Sequence, residues 1–216
     1  MFQDRDDAGR QLAEKLKKYQ KDNLLILALP RGGVPVAYQV SQVLNAPLDV
    51  FVVRKVGFPG NPELGVGSVA PGVLFLDKDS LHRLGLRHSD LKEIIEIEQK
   101  ELQRRLHLYR GDTTLPNVVG KTVILIDDGI ATGVTTRAAI QGIQQLKPSK
   151  LILAVPVAPL EAVEMLKNLV DELVCLEIPP FFYAVGAFYQ RFPQVSDDEV
   201  IALLTVGSPY TGIQSS

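Results

Sequence analysis

Several things are scarce in this chain, and each scarcity excludes a class of chemistry. Cysteine occurs once, at Cys175, so neither an intrachain disulfide nor a cysteine-based metal cage can form. Basic residues are not in excess: 23 Lys and Arg face 25 Asp and Glu, a net charge of −2, and the footprint of a nucleic-acid binder is missing. The longest apolar stretches, LLILALP and LILAVPVAPL, are too short and too proline-rich to span a bilayer. The opening residues MFQDRDDAGR hold no apolar run, so no secretory leader is expected. His82, His88 and His107 do not have metal-ligand spacing. Repeats and low-complexity tracts are absent. What is present, 216 residues that are 46% hydrophobic and 22% charged, is the composition of a globular protein. The expectation is a single domain over 1–216, soluble and cytoplasmic, with no nucleic-acid or membrane partner.

Apolar runs alternate with amphipathic ones. Residues 6–20 place Ala8, Leu12, Leu16 and Tyr19 on one helical face. LLILAL (24–29) reads as a strand, PRGG as a tight loop, and VPVAYQVSQVL as a helix. LDVFVVRK (48–55), KTVILID (121–127), KLILAVPV (150–157) and ELVCLEI (172–178) read as further strands, with helices through Ile143 and from Pro159 to Leu169. Strands apolar on both faces and alternating with helices predict an α/β fold, a doubly wound parallel sheet covered on both sides, with its core over about 21–178. Such sheets bind ligands at the carboxyl ends of their strands. Cys175, inside an apolar strand, reads as an inert core residue.

Residues 56–78 interrupt the alternation with five glycines and three prolines, which predicts a flexible loop running into a β-hairpin. A long charged helix is expected over 89–109. Asp4 to Asp7 read as a solvated helix start. GVGSVA (65–70) loosely matches a dinucleotide fingerprint but opens no helix, so it carries no weight.

The most informative run is VILIDDGIATGVTTRAA (123–139). An apolar strand ends in Asp127 and Asp128, Gly129 to Gly133 turn the chain, and a helix starts near Thr132 to Thr135. The first N–H groups of a helix lack intrahelical partners and carry partial positive charge, which suits a phosphate monoester. Two carboxylates beside that site can accept hydrogen bonds from sugar hydroxyls. The plain alternative is a buried strand followed by an ordinary helix start.

VILIDDGIATGVTT resembles the 5-phosphoribosyl-1-pyrophosphate (PRPP) signature of type I phosphoribosyltransferases. LPRGG (29–33) stands where that family has a pyrophosphate loop, and RKVGFPGNPELG (54–65) where it has a mobile loop. The resemblance covers roughly residues 24–178. It implies a Mg²⁺-dependent transfer of the phosphoribosyl group from PRPP to a nitrogenous base with release of pyrophosphate, in a homodimer or larger assembly. Gly129, Ala131, Thr132, Gly133, Val134 and Thr135 would hold the 5-phosphate. Asp127 and Asp128 would bind the ribose hydroxyls and Mg²⁺, directly or through water. Arg31, Gly32 and Gly33, with Arg54 and Lys55, would hold the pyrophosphate; Asp127, Asp128, Arg31 and Lys55 would be catalytic. On the residues alone, the plain alternative for Arg31 is a surface turn residue, and for Arg54 and Lys55 an exposed strand end.

Two departures stand out. Purine members usually have Asp at the position of Ala131, where it moves a proton at the base; alanine cannot, so either 6-oxopurines are not acceptors or another residue does that work. Val134 replaces the more frequent Lys or Thr. Beyond the last core strand, FFYAVGAFYQRF (181–192) carries six of fourteen aromatics, where the family has a hood over the acceptor (here 179–216). Phe182, Tyr183 and Tyr189 are the tentative acceptor contacts, with packing as the alternative. Ser196 and Glu199 read as a capping box. A non-catalytic regulatory protein that binds PRPP or a nucleotide on the same fold is the alternative function; no helix-turn-helix or basic cluster supports it.

Overall fold

The expected alternation becomes a layered fold in a computed structural model of the chain, which describes residues 1–111, 113–114 and 116–207 and, at position 63, only the backbone. Residues 208–216 of the expected hood lie outside the described residues.

Helix α1 (Arg5–Leu16) begins at Asp4, whose carboxylate accepts the Asp7 N–H at 3.0 Å; Asp6 and Asp7 in its first turn suit the dipole. Strand β1 (Leu24–Ala28) leads through Arg31 into α2 (Gly33–Leu44), which ends on Asn45 in the left-handed region. Strand β2 is Leu48–Val50. A second set of strands follows, β3 (Arg54–Phe58), β4 (Asn61–Ala70) and β5 (Val73–Leu76), then α3 (Lys78–Arg83) and α4 (Lys92–Arg110). The core resumes with β6 (Thr122–Ile126), α5 (Val134–Gln145), β7 (Lys150–Val157), α6 (Leu160–Leu166) and β8 (Glu172–Glu177). Helix α7 (Asp197–Gly207) closes the described chain, with Ser196 Oγ accepting the Glu199 N–H at 3.1 Å.

The main sheet has five strands in the order β2-β1-β6-β7-β8, all parallel. Strand residues alternate between two cores. Leu24, Ile26 and Ala28 join Ile124, Ile126 and the inner faces of α1 and α2; Leu25 and Leu27 join Val123, Leu125 and the residues of α5 and α6. Each fully buried Leu or Ile contributes roughly 1.5–3 kcal/mol, so the two-sided burial accounts for the continuous apolar runs. Because β1 lies between β2 and β6, the chain leaves β1 and β6 toward opposite sides of the sheet. A crevice opens at the carboxyl ends of that pair.

Two expectations are corrected. LDVFVVRK is not one strand: it splits at Phe51–Val53, and Arg54 and Lys55 belong to a separate three-stranded antiparallel sheet, β3-β4-β5. The hairpin expected in 56–78 is β4–β5, but the loop expected ahead of it is also strand: Val56 to Phe58 lie in β3 and Asn61 opens β4. The glycines of this sheet serve close approach between strands. A Cβ at Gly57 would stand 2.7 Å from Pro62 Cα, and one at Gly67 2.4 Å from the Phe75 carbonyl oxygen; the register shifts around Gly57. The small sheet contacts α4 and α5. Among the described residues, no helix is long and apolar enough to cross a membrane.

Candidate active site

The loops after β1 and β6 meet. The Leu29 N–H donates to the Ile126 carbonyl at 2.8 Å, carrying the strand pairing one residue past β1. A cis peptide joins Pro30 to Arg31, and the Gly33 N–H donates back to Leu29. At this point only glycine fits. A Cβ on Gly32 would lie 2.0 Å from Asp128 Oδ2, and one on Gly33 2.9 Å from Asp127 Cα. The structure thus brings Arg31–Gly33 against Asp127–Asp128.

The loop after β6 is anchored by the Ile130 N–H, which donates to the Val157 carbonyl at 2.9 Å. Gly133 is left-handed (φ +76°) and packs on Met165, where a Cβ would come within 2.7 Å of Cε. Helix α5 therefore starts from a glycine with no side-chain cap. Among the described residues, no acceptor takes the N–H groups of Ala131 to Thr136. Ala131, Thr132 and Thr135 are exposed, while Thr136 is buried. The result is an open set of main-chain donors beside the acid pair.

Both acids are perturbed. Burial, then the charge of Asp128, raises Asp127 well above the usual carboxylate range; its Oδ1 accepts the Asp128 N–H at 2.9 Å. Burial also raises Asp128, opposed by Arg5. Arg5 Nε donates to Asp128 Oδ2 at 2.8 Å, with side chains 10% and 14% exposed, so this residue of the expected solvated helix start is in fact enclosed. The hydroxyl of Tyr189 donates to the Asp128 carbonyl at 2.5 Å.

The other expected residues are distributed differently. Arg31 faces Asp197 at the start of α7 (3.6 Å), and Asp197 also accepts from the Tyr109 hydroxyl at 2.5 Å. Burial, then that bond, pushes Tyr109 up to about 12. Arg54 is paired with Glu98 of α4 at 2.8 Å, on the wall of a cavity of about 390 Å³ that also includes Lys55, Phe58, Ile94 and Ile97. Arg54 and Lys55 thus sit on the small sheet, apart from the Gly32–Asp128 contact. Of the tentative acceptor contacts, Tyr183 is 90% exposed, Phe182 stacks on Phe188 with centroids 5.5 Å apart, and Tyr189 is buried. Tyr189 is engaged in packing and on Asp128, as in the packing alternative. Cys175 is half-buried, and burial raises its thiol to about 11, in keeping with an inert residue.

Sequence reasoning missed Arg5, Asp197, Tyr109 and Glu98. Arg5 lies 123 positions from its partner within a run of acids, so no local signal marks it.

As for a metal, no group of three or more His, Cys, Asp or Glu side chains gathers to hold one among the described residues. Asp127 Oδ1 accepts from the Asp128 N–H, Asp128 Oδ2 accepts from Arg5, and the two carboxylates also interact with each other. That donor set fits a Mg²⁺ ion that takes its other oxygens from substrate and water.

Comparison with known proteins agrees with this geometry. The family model described as "Phosphoribosyl transferase domain" matches residues 3–191. A Mycobacterium tuberculosis H37Rv protein named as a candidate phosphoribosyl transferase, Rv0571c, is 44% identical over 208 residues, 94% of this chain and 46% of the relative. The chain thus spans about half the length of the curated relatives it matches. The crystal structure of TT1426 from Thermus thermophilus is 41% identical, covers 96% of this chain and 99% of that one, and superposes with a TM-score of 0.82. A Neisseria gonorrhoeae protein crystallised with bound ppGpp shares the fold at 12% identity and a TM-score of 0.51, over 94% of this chain and 92% of that one.

Proposed function

The chain belongs to the phosphoribosyl transferase domain family, and from that premise we propose that it transfers the 5-phosphoribosyl group of PRPP to a nitrogenous base and releases pyrophosphate. One observation carries the reading: two glycines press the Arg31–Gly33 loop onto Asp127 and Asp128, where the strand order reverses, beside the uncapped start of α5.

In this reading the amides of Ala131 to Thr135, with the hydroxyls of Thr132 and Thr135, hold the 5-phosphate. Asp127 and Asp128 accept from the ribose hydroxyls. Both carboxylates are desolvated, so donors from sugar or cation stabilise the charged forms strongly. Asp127 and Asp128 would hold Mg²⁺ directly or through water, which when bound would supply charge neutralisation for the pyrophosphate. Arg31 releases Asp197 to meet the pyrophosphate, joined by the loop at Gly32 and Gly33. As the bond from C1 to pyrophosphate lengthens, positive charge grows on the ribose ring and negative charge on the leaving group. The acids face the first and Arg31 the second, so the chain acts by position and fixed charge and needs no covalent nucleophile. Arg54 and Lys55, on the small sheet, are the further cations proposed for the leaving group. Tyr183, exposed on the hood, is the remaining candidate to stack on the acceptor. Ala131 offers no proton relay, which favours acceptors other than 6-oxopurines.

The test is pyrophosphate release from PRPP and Mg²⁺ over a panel of bases, with calorimetry of PRPP binding. Asp127→Asn with Asp128→Asn is expected to weaken PRPP at least ~100-fold while the circular dichroism spectrum is kept. Unchanged affinity would reject the site. Tight PRPP binding without turnover on any base would favour the regulatory alternative, and brisk hypoxanthine conversion would reject the inference from Ala131.

A further inference from the structure

We infer that Arg5 is a positioning residue of the sugar site, setting the direction of the Asp128 carboxylate and coupling it to the aromatic segment 188–193. The inference rests on the reading of Asp128 as an acceptor for ribose hydroxyls, and it concerns a residue outside the strand-end loops.

Arg5 occupies the first position of α1, where the helix dipole disfavours a cation. Its contacts compensate. Nε donates to Asp128 Oδ2 at 2.8 Å, and Nη1 donates to the Pro193 carbonyl at 2.7 Å. The guanidinium carbon lies 3.7 Å from the centroid of the Phe192 ring. The residue is 9% exposed. One planar group therefore meets a carboxylate, a carbonyl and an aromatic face together, which a lysine ammonium cannot do.

Asp128 is held from the other directions as well. Gly32 borders Oδ2 so closely that no side chain fits there, and the Tyr189 hydroxyl takes the Asp128 carbonyl. Tyr189 belongs to the same segment as Phe192, with ring centroids 4.8 Å apart. That segment is tied to the residues just before Arg5: Phe2 donates to the Phe188 carbonyl at 2.8 Å, Gln190 donates to the Phe2 carbonyl at 2.9 Å, and Arg191 meets Asp4 at 2.5 Å. Arg5 is where this assembly meets the Asp128 carboxylate, as Tyr189 meets its carbonyl. With Oδ2 held by Arg5, the guanidinium sets how the Asp128 carboxylate is turned toward a sugar hydroxyl. Loss of the fork frees the carboxylate to rotate, as for a ligand whose outer partner is removed.

The test uses calorimetry on the full chain with two probes: ribose 5-phosphate, which carries the sugar site alone, and inorganic pyrophosphate with Mg²⁺. Arg5→Lys keeps the charge but not the fork. It is expected to weaken ribose 5-phosphate about tenfold and pyrophosphate by less than about twofold. Phe192→Leu leaves the ion pair but removes the aromatic face; it should weaken ribose 5-phosphate by a smaller factor, again sparing pyrophosphate, and it serves if Arg5→Lys does not fold. Equal losses for both probes would mean general damage and overturn the inference, as would ribose 5-phosphate affinity unchanged in both variants. If the unsubstituted protein does not bind ribose 5-phosphate, the functional reading fails and this inference with it. If it binds and both variants match it, only the role of Arg5 fails.

Discussion

The crevice at the ends of β1 and β6 and the small sheet β3–β5 are both rich in glycine, and each holds an arginine paired with a carboxylate at 2.8 Å. They use these parts differently. In the crevice, Gly32 and Gly33 bring backbone against two carboxylates, and the Arg5–Asp128 pair is enclosed, with further contacts to a carbonyl and a ring. In the small sheet, Gly57 and Gly67 bring backbone against backbone, and the Arg54–Glu98 pair is more open, with side chains 27% and 19% exposed. Glycine at a polar contact marks a place where a ligand's groups can approach; glycine at a strand contact marks packing. The distinction predicts that equivalent substitutions in the two regions separate binding from stability.

Gly32→Ala should have the largest effect. Its Cβ must displace the Asp128 carboxylate, so PRPP affinity is expected to fall at least ~10-fold, along with a loss of about 1–3 kcal/mol in stability. Gly57→Ala meets only Pro62 backbone and should lose a similar amount of stability in urea titration while the folded protein binds PRPP normally. If both variants lose binding alike, the comparison breaks.

Asp127→Asn tests the electrostatics of the crevice. Burial first, then Asp128, holds the Asp127 carboxyl above its ordinary 3.8. The folded chain therefore keeps that proton more tightly than the unfolded chain does. The stability this represents is complete below the unfolded pKa and is lost as pH rises through the folded one. Asparagine keeps an oxygen for the Asp128 N–H but has no charge to bury. The variant is expected to melt a few degrees above the unsubstituted protein at pH 7, with the gap closing as pH falls toward 3.8. A lower melting temperature at pH 7 would contradict the burial argument. The smallest effect belongs to Arg54→Gln. A partly exposed pair contributes about 1 kcal/mol or less, and ribose 5-phosphate affinity should hold within about twofold. A loss confined to PRPP would instead assign Arg54 to the leaving group.

Much of the main sheet was legible because its central strands β1, β6 and β7 are buried on both faces and read as continuous apolar runs. The crevice was legible because LPRGG and IDDGIATG are punctuation at strand ends. The loop ahead of the expected hairpin was misread because glycine spacing looks alike whether it loosens a loop or lets strands meet. Contact and packing were not told apart among the rings of 181–192 because an aromatic in a variable segment carries no sign of which way its ring turns.

By itself the sequence determined the alternation of strands and helices, the place of the acid pair, and the start of a helix after it, since each depends on residues near one another in the chain. Only the tertiary structure decided which partners those groups keep: Arg5 on Asp128, Asp197 on Arg31, Glu98 on Arg54. Charge pairing acts through space over a few ångströms, and the fold, not the spacing along the chain, sets which charges come that close.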